Sequence, residues 1–240
     1  MTSEHLERTT VGDLVAADAR AADVLERFGI DFCCGGRRPF DEACRAAGAD
    51  PGAVRRALEA LPPPAGETES PAEWPVDRLL DHIVSTHHAY LREAIPAIGR
   101  RLGRVVEVHG ERHPELAHIR AVFMRLGREL HQHMLKEEHV LFPYIREMAS
   151  LAPGRRVDSP FGTVANPIRM MEREHEQAGA DLRLLRELTE DYTPPADGCA
   201  TYRLCFAELA RFERDLHVHV HLEDNVLFPR AMQLERSLRL

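Results

Sequence analysis

The stretch "HMLKEEHVLFP" at residues 133–143 decides the fold of this 240-residue chain, because a second version of it follows. At residues 219–229 the sequence is "HVHLEDNVLFP". Both stretches reduce to His-x-x-x-Glu-x-x-x-Leu-Phe-Pro, and the second begins 86 residues after the first. A histidine and a glutamate four residues apart lie on one face of an α-helix. Each copy therefore predicts a helix that carries a paired imidazole and carboxylate.

Four long stretches with helical periodicity follow a proline-rich segment. After "LPPPAGETESPAEWP" at 61–75, apolar residues recur every three or four positions in 76–109, 115–148, 166–191 and 199–236. Short connections favour antiparallel neighbours, and nothing in this part of the sequence predicts a strand. The predicted fold class is all-α: an up-down-up-down four-helix bundle, hemerythrin-like in its motifs, preceded by a small helical N-terminal domain.

The region before the bundle is predicted to be a separate small domain. Two short helical patterns, "VGDLVAADARAADVLERFG" at 11–29 and "DEACRAAGADPGAVRRALEAL" at 41–61, are separated by a glycine-containing turn. The predicted division is residues 1–62 for this domain, 63–75 for the linker and 76–240 for the bundle. A domain of this size forms only a marginal core. We therefore expect it to lean on its neighbour or on a second subunit, as in a homodimer.

Composition and charge exclude several classes of function. The formal net charge is −8, and the 31 Lys and Arg residues are scattered, so no basic face predicts binding to nucleic acid or to anionic lipid. No apolar run approaches the roughly 18–20 residues that span a bilayer, and "MTSEHLERTT" lacks the apolar core of a signal peptide. The five cysteines, an odd number, fit a reducing compartment better than a disulfide framework. We expect a cytoplasmic protein.

The apolar stripes of the second and fourth predicted helices each continue into a histidine and a glutamate. The apolar members are Ile119, Phe123, Leu126, Leu130 and Leu141 in the second helix, and Cys205, Leu209, Phe212, Leu216 and Val226 in the fourth. His133 and Glu137 lie on the first stripe, and His219 and Glu223 on the second. Polar side chains that face the core of a bundle need a hydrogen-bonding partner, an opposite charge or a bound ion.

The other two helices each offer one further histidine at a matching spacing. His88 precedes His133 by 45 residues, and His175 precedes His219 by 44 residues. The bundle therefore resembles a duplicated helical hairpin in which each half provides one His and one His-x-x-x-Glu. His87, next to His88, is the alternative for the first position.

Six inward polar groups predict a metal site better than they predict core histidines paired with core glutamates. Burial of one unpaired carboxylate costs several kcal/mol, and no inward Lys or Arg is available at these depths. Mixed imidazole and carboxylate donors disfavour calcium and structural zinc. Six ligands with two glutamates able to bridge favour a dinuclear iron or manganese centre, with room for an oxo or hydroxo bridge. A vacant position would bind dioxygen or nitric oxide.

The two His-x-x-x-Glu-x-x-x-Leu-Phe-Pro copies resemble the hemerythrin-like cation-binding domain. With "DFCCGG" at 31–36 in an N-terminal region, the chain is similar to the di-iron proteins for Repair of Iron Centers, also called iron–sulfur cluster repair proteins. The resemblance covers nearly the whole chain. It implies two bridging glutamates, Glu137 and Glu223, and four histidine ligands. The six implied iron ligands are His88, His133, Glu137, His175, His219 and Glu223.

The cysteines carry a separate set of expectations. Cys33 and Cys34 are adjacent, which allows only a strained disulfide and does not give the Cys-x-x-Cys spacing of a zinc or thioredoxin-like site. One interpretation is a buried thiol beside an incidental one; the resemblance implies instead a redox, nitric oxide or iron-transfer element. Cys44 is near enough in sequence to form a disulfide with either. We expect Cys199 and Cys205 to be packing residues.

The resemblance implies a stress protein that acts on damaged iron–sulfur proteins, by iron donation or by nitric oxide reduction at the iron pair. The alternative from another class is a non-enzymatic module that binds or senses dioxygen, nitric oxide or iron. A third hypothesis is an oxidoreductase that uses Cys33 and Cys34 to pass electrons to the iron. The remaining histidines are interpreted as surface groups or as groups behind the ligands: His82, His109, His113, His118, His131, His139, His217 and His221.

Overall fold

The structure is a computed structural model that describes residues 9–61, 70–151 and 159–238. Those residues form helices and no β-strand; their extended pairing is an isolated bridge between Thr10 and Pro39. The prediction of an all-α fold is confirmed. The ranges outside the described residues include 1–8 at the N-terminus, 63–69 of the predicted linker, and 152–158 between the second and third long helices.

The elements are named here in chain order. The N-terminal region contains α1 (Val11–Ala17), α2 (Ala21–Arg27), α3 (Phe40–Ala46), α4 (Pro51–Glu59) and a 3-10 turn at Pro71–Glu73. The first long helix comprises α5 (Val76–His82), a π-helical segment (Ile83–His88) and α6 (Ala89–His109). The second comprises α7 (Glu115–Lys136), a π-helical segment (Glu137–Leu141) and α8 (Phe142–Ser150). The third is α9 (Ala165–Leu188), and the fourth comprises α10 (Ala200–His221), a π-helical segment (Leu222–Leu227) and α11 (Phe228–Leu238).

The two N-terminal patterns each form two helices rather than one. Asp18 ends α1 in an extended conformation, with φ −145° and ψ 103°, and its carboxylate accepts a hydrogen bond from the Arg20 backbone. Gly48, with φ +68°, ends α3, because a left-handed residue cannot continue a helix. Asp50 then caps α4 by accepting from the backbone N–H groups of Gly52 and Ala53.

By its contacts the chain divides into two compact units. The first contains the described parts of 1–81, 146–164 and 217–240, and the second contains 82–145 and 165–216. None of the helices formed by the described residues is long and apolar enough to cross a membrane.

The second unit contains an antiparallel arrangement of four helices. Gly99 of α6 lies against Met124 of α7, whereas Gly127, further along α7, lies against Ile95, earlier in α6, so these helices run in opposite directions. Arg125 forms a 2.5 Å ion pair with the buried Asp181 of α9. The fourth helix contributes Phe212, whose ring contacts Phe123 edge-on at 5.3 Å between centroids, and Arg101 pairs with Glu208 at 2.6 Å. These contacts join all four helices of this unit.

In the first unit, ion pairs and side-chain hydrogen bonds secure the ends of the long helices. Arg146 forms ion pairs with Asp77 and Asp81 of α5. The carboxylate of Glu235, on α11, accepts hydrogen bonds from the Thr163 hydroxyl at 2.6 Å and from the Val164 backbone at 2.9 Å. Glu235 therefore anchors the chain that enters α9.

Replacing Gly127 by alanine is expected to lower the free energy of unfolding by about 1–3 kcal/mol, because the new methyl group overpacks the α6–α7 contact. A Cβ atom at Gly127 would lie 2.6 Å from Ile95 Cγ2, too close for two carbon atoms. Urea unfolding followed by circular dichroism measures the change.

Gly103→Ala is the matched control on α6. Its Cβ atom would lie 3.9 Å from the Arg120 side chain, which is ordinary contact, so the substitution should stabilise the helix by about 0.5–1 kcal/mol. Equal effects of both substitutions would contradict a close helix–helix contact at Gly127.

Candidate metal centre

The second unit brings four of the six predicted ligands together. The carboxylate of Glu137 lies between two imidazoles: its Oε2 atom is 3.4 Å from His88 Nε2 and 3.3 Å from His133 Nε2. His175 Nε2 is 3.0 Å from His133 Nε2. All four residues are at most 2 % exposed, and His133, Glu137 and His175 offer ligand atoms that lie within 4.8 Å of one another.

Carboxylates behind the imidazoles determine which ring nitrogen faces the centre. His133 Nδ1 donates to Glu174 Oε2 at 2.9 Å, and His88 Nδ1 donates to Glu138 Oε1 at 2.6 Å. An ionised carboxylate only accepts, so Nδ1 of each ring carries a hydrogen, and in the neutral form of the ring the lone pair is on the inward Nε2 atom. These contacts orient both Nε2 atoms as metal donors.

The donor set fits a bound cation. Ligand atoms that share one ion, at bond lengths of about 2.0–2.2 Å, lie about 3.0–3.5 Å apart, and the Nε2 and Oε2 separations around Glu137 fall in that interval. His133 Nε2 and His175 Nε2 lie 3.0 Å apart, a separation that also suits two nitrogens that share one ion. Burial lowers the pKa of His133, but the charge and hydrogen bond of Glu137 and the hydrogen bond of Glu174 raise it above its ordinary value overall. The centre therefore demands positive charge.

The outer carboxylates are held by cations at the surface. Glu174 pairs with Lys136, and Glu138 pairs with Arg92. The hydrogen bond from His133 lowers the pKa of Glu174 to about 2 against the effect of burial, with Lys136 contributing in the same direction. Glu174 thus stays ionised throughout the physiological range and keeps accepting from His133.

The helix geometry changes from α to π at or beside these residues. His88 is the last residue of one π-helical segment and Glu137 is the first residue of another. Such segments insert an extra residue into a helical turn, and they occur frequently at functional sites. Within the described residues, α9, which carries His175, has no such segment.

In the first unit, His219 and Glu223 repeat the pairing of His133 and Glu137. His219 Nε2 is 3.0 Å from Glu223 Oε1, both side chains are buried, and Glu223 lies in the third π-helical segment. A His–Glu pair four residues apart, beside a π turn, therefore occurs twice, as the duplicated sequence motif predicts.

His88 and His87 have different environments. His88 is fully buried, stacks on Phe142 with ring centroids 5.7 Å apart, and faces Glu137. His87 Nδ1 lies 3.2 Å from Asp215 Oδ1 instead, and its ring contacts His82 edge-on. The structure thus places His88, rather than its neighbour, at the carboxylate.

Sequence reasoning missed Glu138 and Glu174. Each is adjacent in sequence to a predicted ligand, Glu137 or His175, and a charged residue beside a buried one is an ordinary solvated residue in most helices. The sequence around each glutamate does not reveal that it orients a ligand, because each carboxylate reaches a histidine on a different helix.

The adjacent cysteines lie in a turn of the first unit that is held by Asp31 and Asn225. Asp31 Oδ1 accepts from the backbone N–H groups of Cys33 and Gly35, and Cys33 Sγ is 4.0 Å from Cys34 Sγ. Cys33 is buried and Cys34 is partly exposed, and the five cysteines, which all lie within the described residues, form no disulfide. The hydrogen bond with Cys34, together with burial, raises the pKa of Cys33 well above its ordinary value. The thiol of Cys33 is therefore protonated at neutral pH.

Asn225, in the π-helical segment that carries Glu223, anchors this turn. Its amide donates to the backbone carbonyl of Cys33 at 2.9 Å and of Phe32 at 3.4 Å. Glycine is required opposite it, since a Cβ atom at Gly36 would lie 2.4 Å from the Asn225 side chain and one at Gly12 would lie 2.9 Å from it. The cysteine turn and the Glu223 segment are thus directly bonded.

His221 is buried although it falls off the predicted inward stripe. It is 1 % exposed and its ring contacts Phe32 edge-on, with centroids 5.8 Å apart. Burial lowers the pKa of His221 to about 4, so the ring is neutral at physiological pH. A face turned away from the stripe is covered by the N-terminal region, which the periodicity of the helix alone does not reveal.

Comparisons with known proteins agree with the geometry of this centre. Residues 79–231 match the family described as "Hemerythrin HHE cation binding domain", and residues 7–62 match "Domain of Unknown function (DUF542)". The "Iron-sulfur cluster repair protein YtfE" of Musicola paradisiaca (strain Ech703) is 34 % identical over 236 residues, covering 96 % of this chain and 99 % of that protein. The protein of that name from Yersinia pestis (strain Pestoides F) is 35 % identical over 227 residues, covering 94 % and 97 %.

A helical bundle with buried histidines around a glutamate defines a hemerythrin-type, cation-binding protein. Since the family match exceeds half of the chain and the relatives match nearly all of it, the chain belongs to the hemerythrin-domain family of iron–sulfur cluster repair proteins. The resemblance predicted from the sequence is confirmed.

Replacing Glu174 by glutamine is expected to weaken metal binding by about 10–100-fold, because the amide no longer fixes His133 as strongly with Nε2 inward. Competition with a chelator, followed by metal analysis, measures the affinity. Glu176→Gln, an exposed position on the same helix, is the matched control and should leave the affinity unchanged. Equal affinities in the two variants would show that Glu174 does not position His133.

Replacing Asn225 by alanine is expected to raise the labelling rate of Cys33 by N-ethylmaleimide at least tenfold, because the turn loses the hydrogen bond to the Cys33 carbonyl. Mass spectrometry of the labelled peptide measures the rate. Gln233→Ala, exposed on α11, is the control. An unchanged rate in Asn225→Ala would mean that other contacts suffice to hold the turn.

Proposed function

We propose that this chain is a di-iron protein that repairs iron–sulfur clusters damaged by oxidative or nitrosative stress. The observation that carries the proposal is the arrangement around Glu137, where His88, His133 and His175 surround one buried carboxylate. The relatives named iron–sulfur cluster repair proteins cover nearly the whole chain and support this role. Damaged iron–sulfur proteins are then the partners.

The proposed centre contains two iron ions with six ligands from the chain. Glu137 and Glu223 would supply the shared carboxylates, and four histidines would supply the remaining donors, as the duplicated motif favours. The proposed metal is non-haem iron, and manganese is less favoured. The four histidines are His88, His133, His175 and His219.

An iron pair bound there supplies a redox-active centre that takes small ligands such as nitric oxide and dioxygen. The residues of the chain contribute position and enclosure. Glu138 and Glu174 keep the hydrogens on the outer ring nitrogens of His88 and His133. The ligands are buried, which keeps bulk water away from the donor atoms. A closed, oriented donor set of this kind fits both iron donation and nitric oxide reduction.

Cys33 and Cys34 are proposed to act as redox or transfer thiols. The support is their position in a turn that is bonded to the segment carrying Glu223. Asp31, Cys33 and Cys34 also offer three ligand atoms within 4.8 Å of one another, enough to hold an iron ion in transit. A role for these thiols in electron transfer alone is the alternative.

Several other predictions remain part of the proposal. The thiol chemistry proposed for Cys33 and Cys34 suits a reducing compartment, so a cytoplasmic location is part of the proposal. The division into residues 1–62, 63–75 and 76–240 and a homodimeric state stay predictions.

Glu137→Leu is expected to reduce the iron content from about two ions per chain to less than one and to abolish repair, because the variant removes the proposed bridging carboxylate. The assay incubates anaerobically purified protein with an iron–sulfur enzyme inactivated by nitric oxide and measures recovered activity, with iron determined by colorimetry. Glu129→Leu, at an exposed position on α7, is the control.

The same experiment separates the competing chemistries. Labelled iron appearing in the repaired enzyme supports donation, whereas nitrous oxide release during turnover supports nitric oxide reduction. Reversible optical changes on exposure to gas, with neither repair nor nitrous oxide, would replace the proposal with a binding or sensing module. Equal repair by wild type and Glu137→Leu would reject a function of the centre in repair.

A further inference from the structure

A second group of reactive side chains lies at the opposite end of α6 from the metal centre. His88 immediately precedes α6 and His109 is its last residue, so about 30 Å of helix separates the two histidines. Beside His109 lies Cys199, the residue just before α10. This second group belongs wholly to the second unit.

Cys199 contradicts the prediction that it is a packing residue. It is exposed, whereas Cys33, Cys44 and Cys205 are buried. Its backbone carbonyl accepts the first hydrogen bond of α10, from Arg203 at 3.1 Å, which makes Cys199 the cap of a 22-residue helix. Backbone N–H groups of Thr201 and Tyr202 interact with its sulfur. A helix N-terminus favours negative charge, so this position favours a thiolate.

The buried imidazole of His109 is a second feature of this site, and it is independent of the helix N-terminus. Its side chain is only 3 % exposed, and its Nε2 atom forms no hydrogen bond within the described residues. Tyr202, on the first turn of α10, contacts the ring edge-on with centroids 5.3 Å apart and holds it in place next to the cap. A buried imidazole beside an exposed cysteine sulfur at a helix N-terminus is an arrangement that activates a cysteine nucleophile.

The ionisation of Cys199 follows from these neighbours. The pKa of Cys199 is lowered to about 7. The interaction with His109 is the largest cause of this shift, and the interactions with backbone N–H groups are the next. By contrast, burial raises the pKa of Cys44, and it raises the pKa of Cys205 to about 12. At neutral pH about half of Cys199 is therefore thiolate, while the buried thiols are protonated.

The charged groups around Cys199 and His109 do not oppose ionisation of the Cys199 thiol. Arg112 contacts both His109 Nδ1, at 3.4 Å, and Asp197, at 3.0 Å. His113 lies between Asp197 and Glu115, with a contact of 3.0 Å to Asp197 that lowers the pKa of that carboxyl, so it stays ionised. Burial raises the pKa of Tyr202 to about 12, so its hydroxyl is protonated.

We propose that Cys199 and His109 form a modification site at which the cysteine sulfur exchanges with low-molecular-weight disulfides. The Cys199 thiolate attacks one sulfur of the disulfide, the disulfide bond breaks, and a new bond forms between that sulfur and Cys199. The other half leaves as a thiolate and takes up a proton from water. The Cys199 sulfur is oxidised and the leaving sulfur is reduced, so no further oxidant is needed.

Glutathione disulfide is the probe for the test on the full-length, metal-loaded protein. We expect the first mixed disulfide on the Cys199 peptide, with a rate that rises through a midpoint near pH 7. Mass spectrometry after acid quenching measures both the site and the rate. Cys199→Ser should lose this first modification and retain its iron content, because the site is remote from the metal ligands.

His109→Gln tests the role of the imidazole. It should lower the rate at pH 7 by about threefold to tenfold, because the pKa of Cys199 returns toward about 8.5 and less thiolate is present, but it should not lower the rate at pH 10, where the thiol is ionised in both proteins. A variant that merely unfolds this end of the bundle would instead raise the reactivity of Cys205 at both pH values. His118→Gln, at an exposed position on α7, is the control.

Two outcomes would overturn the proposal. One is modification of Cys199→Ser at the wild-type rate, since the first reactive thiol is then another cysteine. The other is a pH midpoint of 8.5 or higher in the wild type that His109→Gln does not move, since Cys199 is then an ordinary exposed thiol. Neither outcome bears on iron–sulfur cluster repair, which depends on different residues.

Discussion

Burial of a carboxylate among imidazole rings is the constraint that organises this protein. Glu137 is fully buried with two imidazole nitrogens near one of its oxygen atoms, and the outer nitrogens of His88 and His133 are committed to carboxylates. A carboxylate in a low-dielectric interior is stabilised by positive charge close to it, which a cation bound among these donors would supply. The helices that carry these residues must therefore be held at separations that suit an ion, and their apolar stripes provide that packing.

Charged residues between the centre and the surface are also compensated by a neighbour of opposite charge. Each carboxylate behind a histidine is itself paired with a cation, Glu138 with Arg92 and Glu174 with Lys136. A carboxylate and then a cation therefore follow each of these two histidines toward solvent, so each outer carboxylate is compensated. A single substitution in such a series affects the members on both sides of it.

Sequence periodicity predicted the long helices to within a few residues, because their apolar stripes are continuous and their ends carry proline or glycine. It also singled out the histidines and glutamates that continue those stripes. It could not identify Glu138 and Glu174, whose role depends on a neighbouring helix. It missed the burial of His221, which is covered by Phe32 from a distant part of the chain. It placed Cys199 in the interior because cysteine is usually buried, whereas that residue caps a helix at the surface.

The π-helical segments have a consequence for how this family tolerates insertions and deletions. An α-helix advances about 100° per residue, so one extra residue in a turn rotates everything that follows around the helix axis. The apolar residues of α8 and α11 face inward only with that offset in place. Loss of one residue from Glu137–Leu141 or Leu222–Leu227 would restore an unbroken α-helix and turn the following side chains toward solvent. The length of each ligand-bearing turn is therefore as constrained as its chemistry.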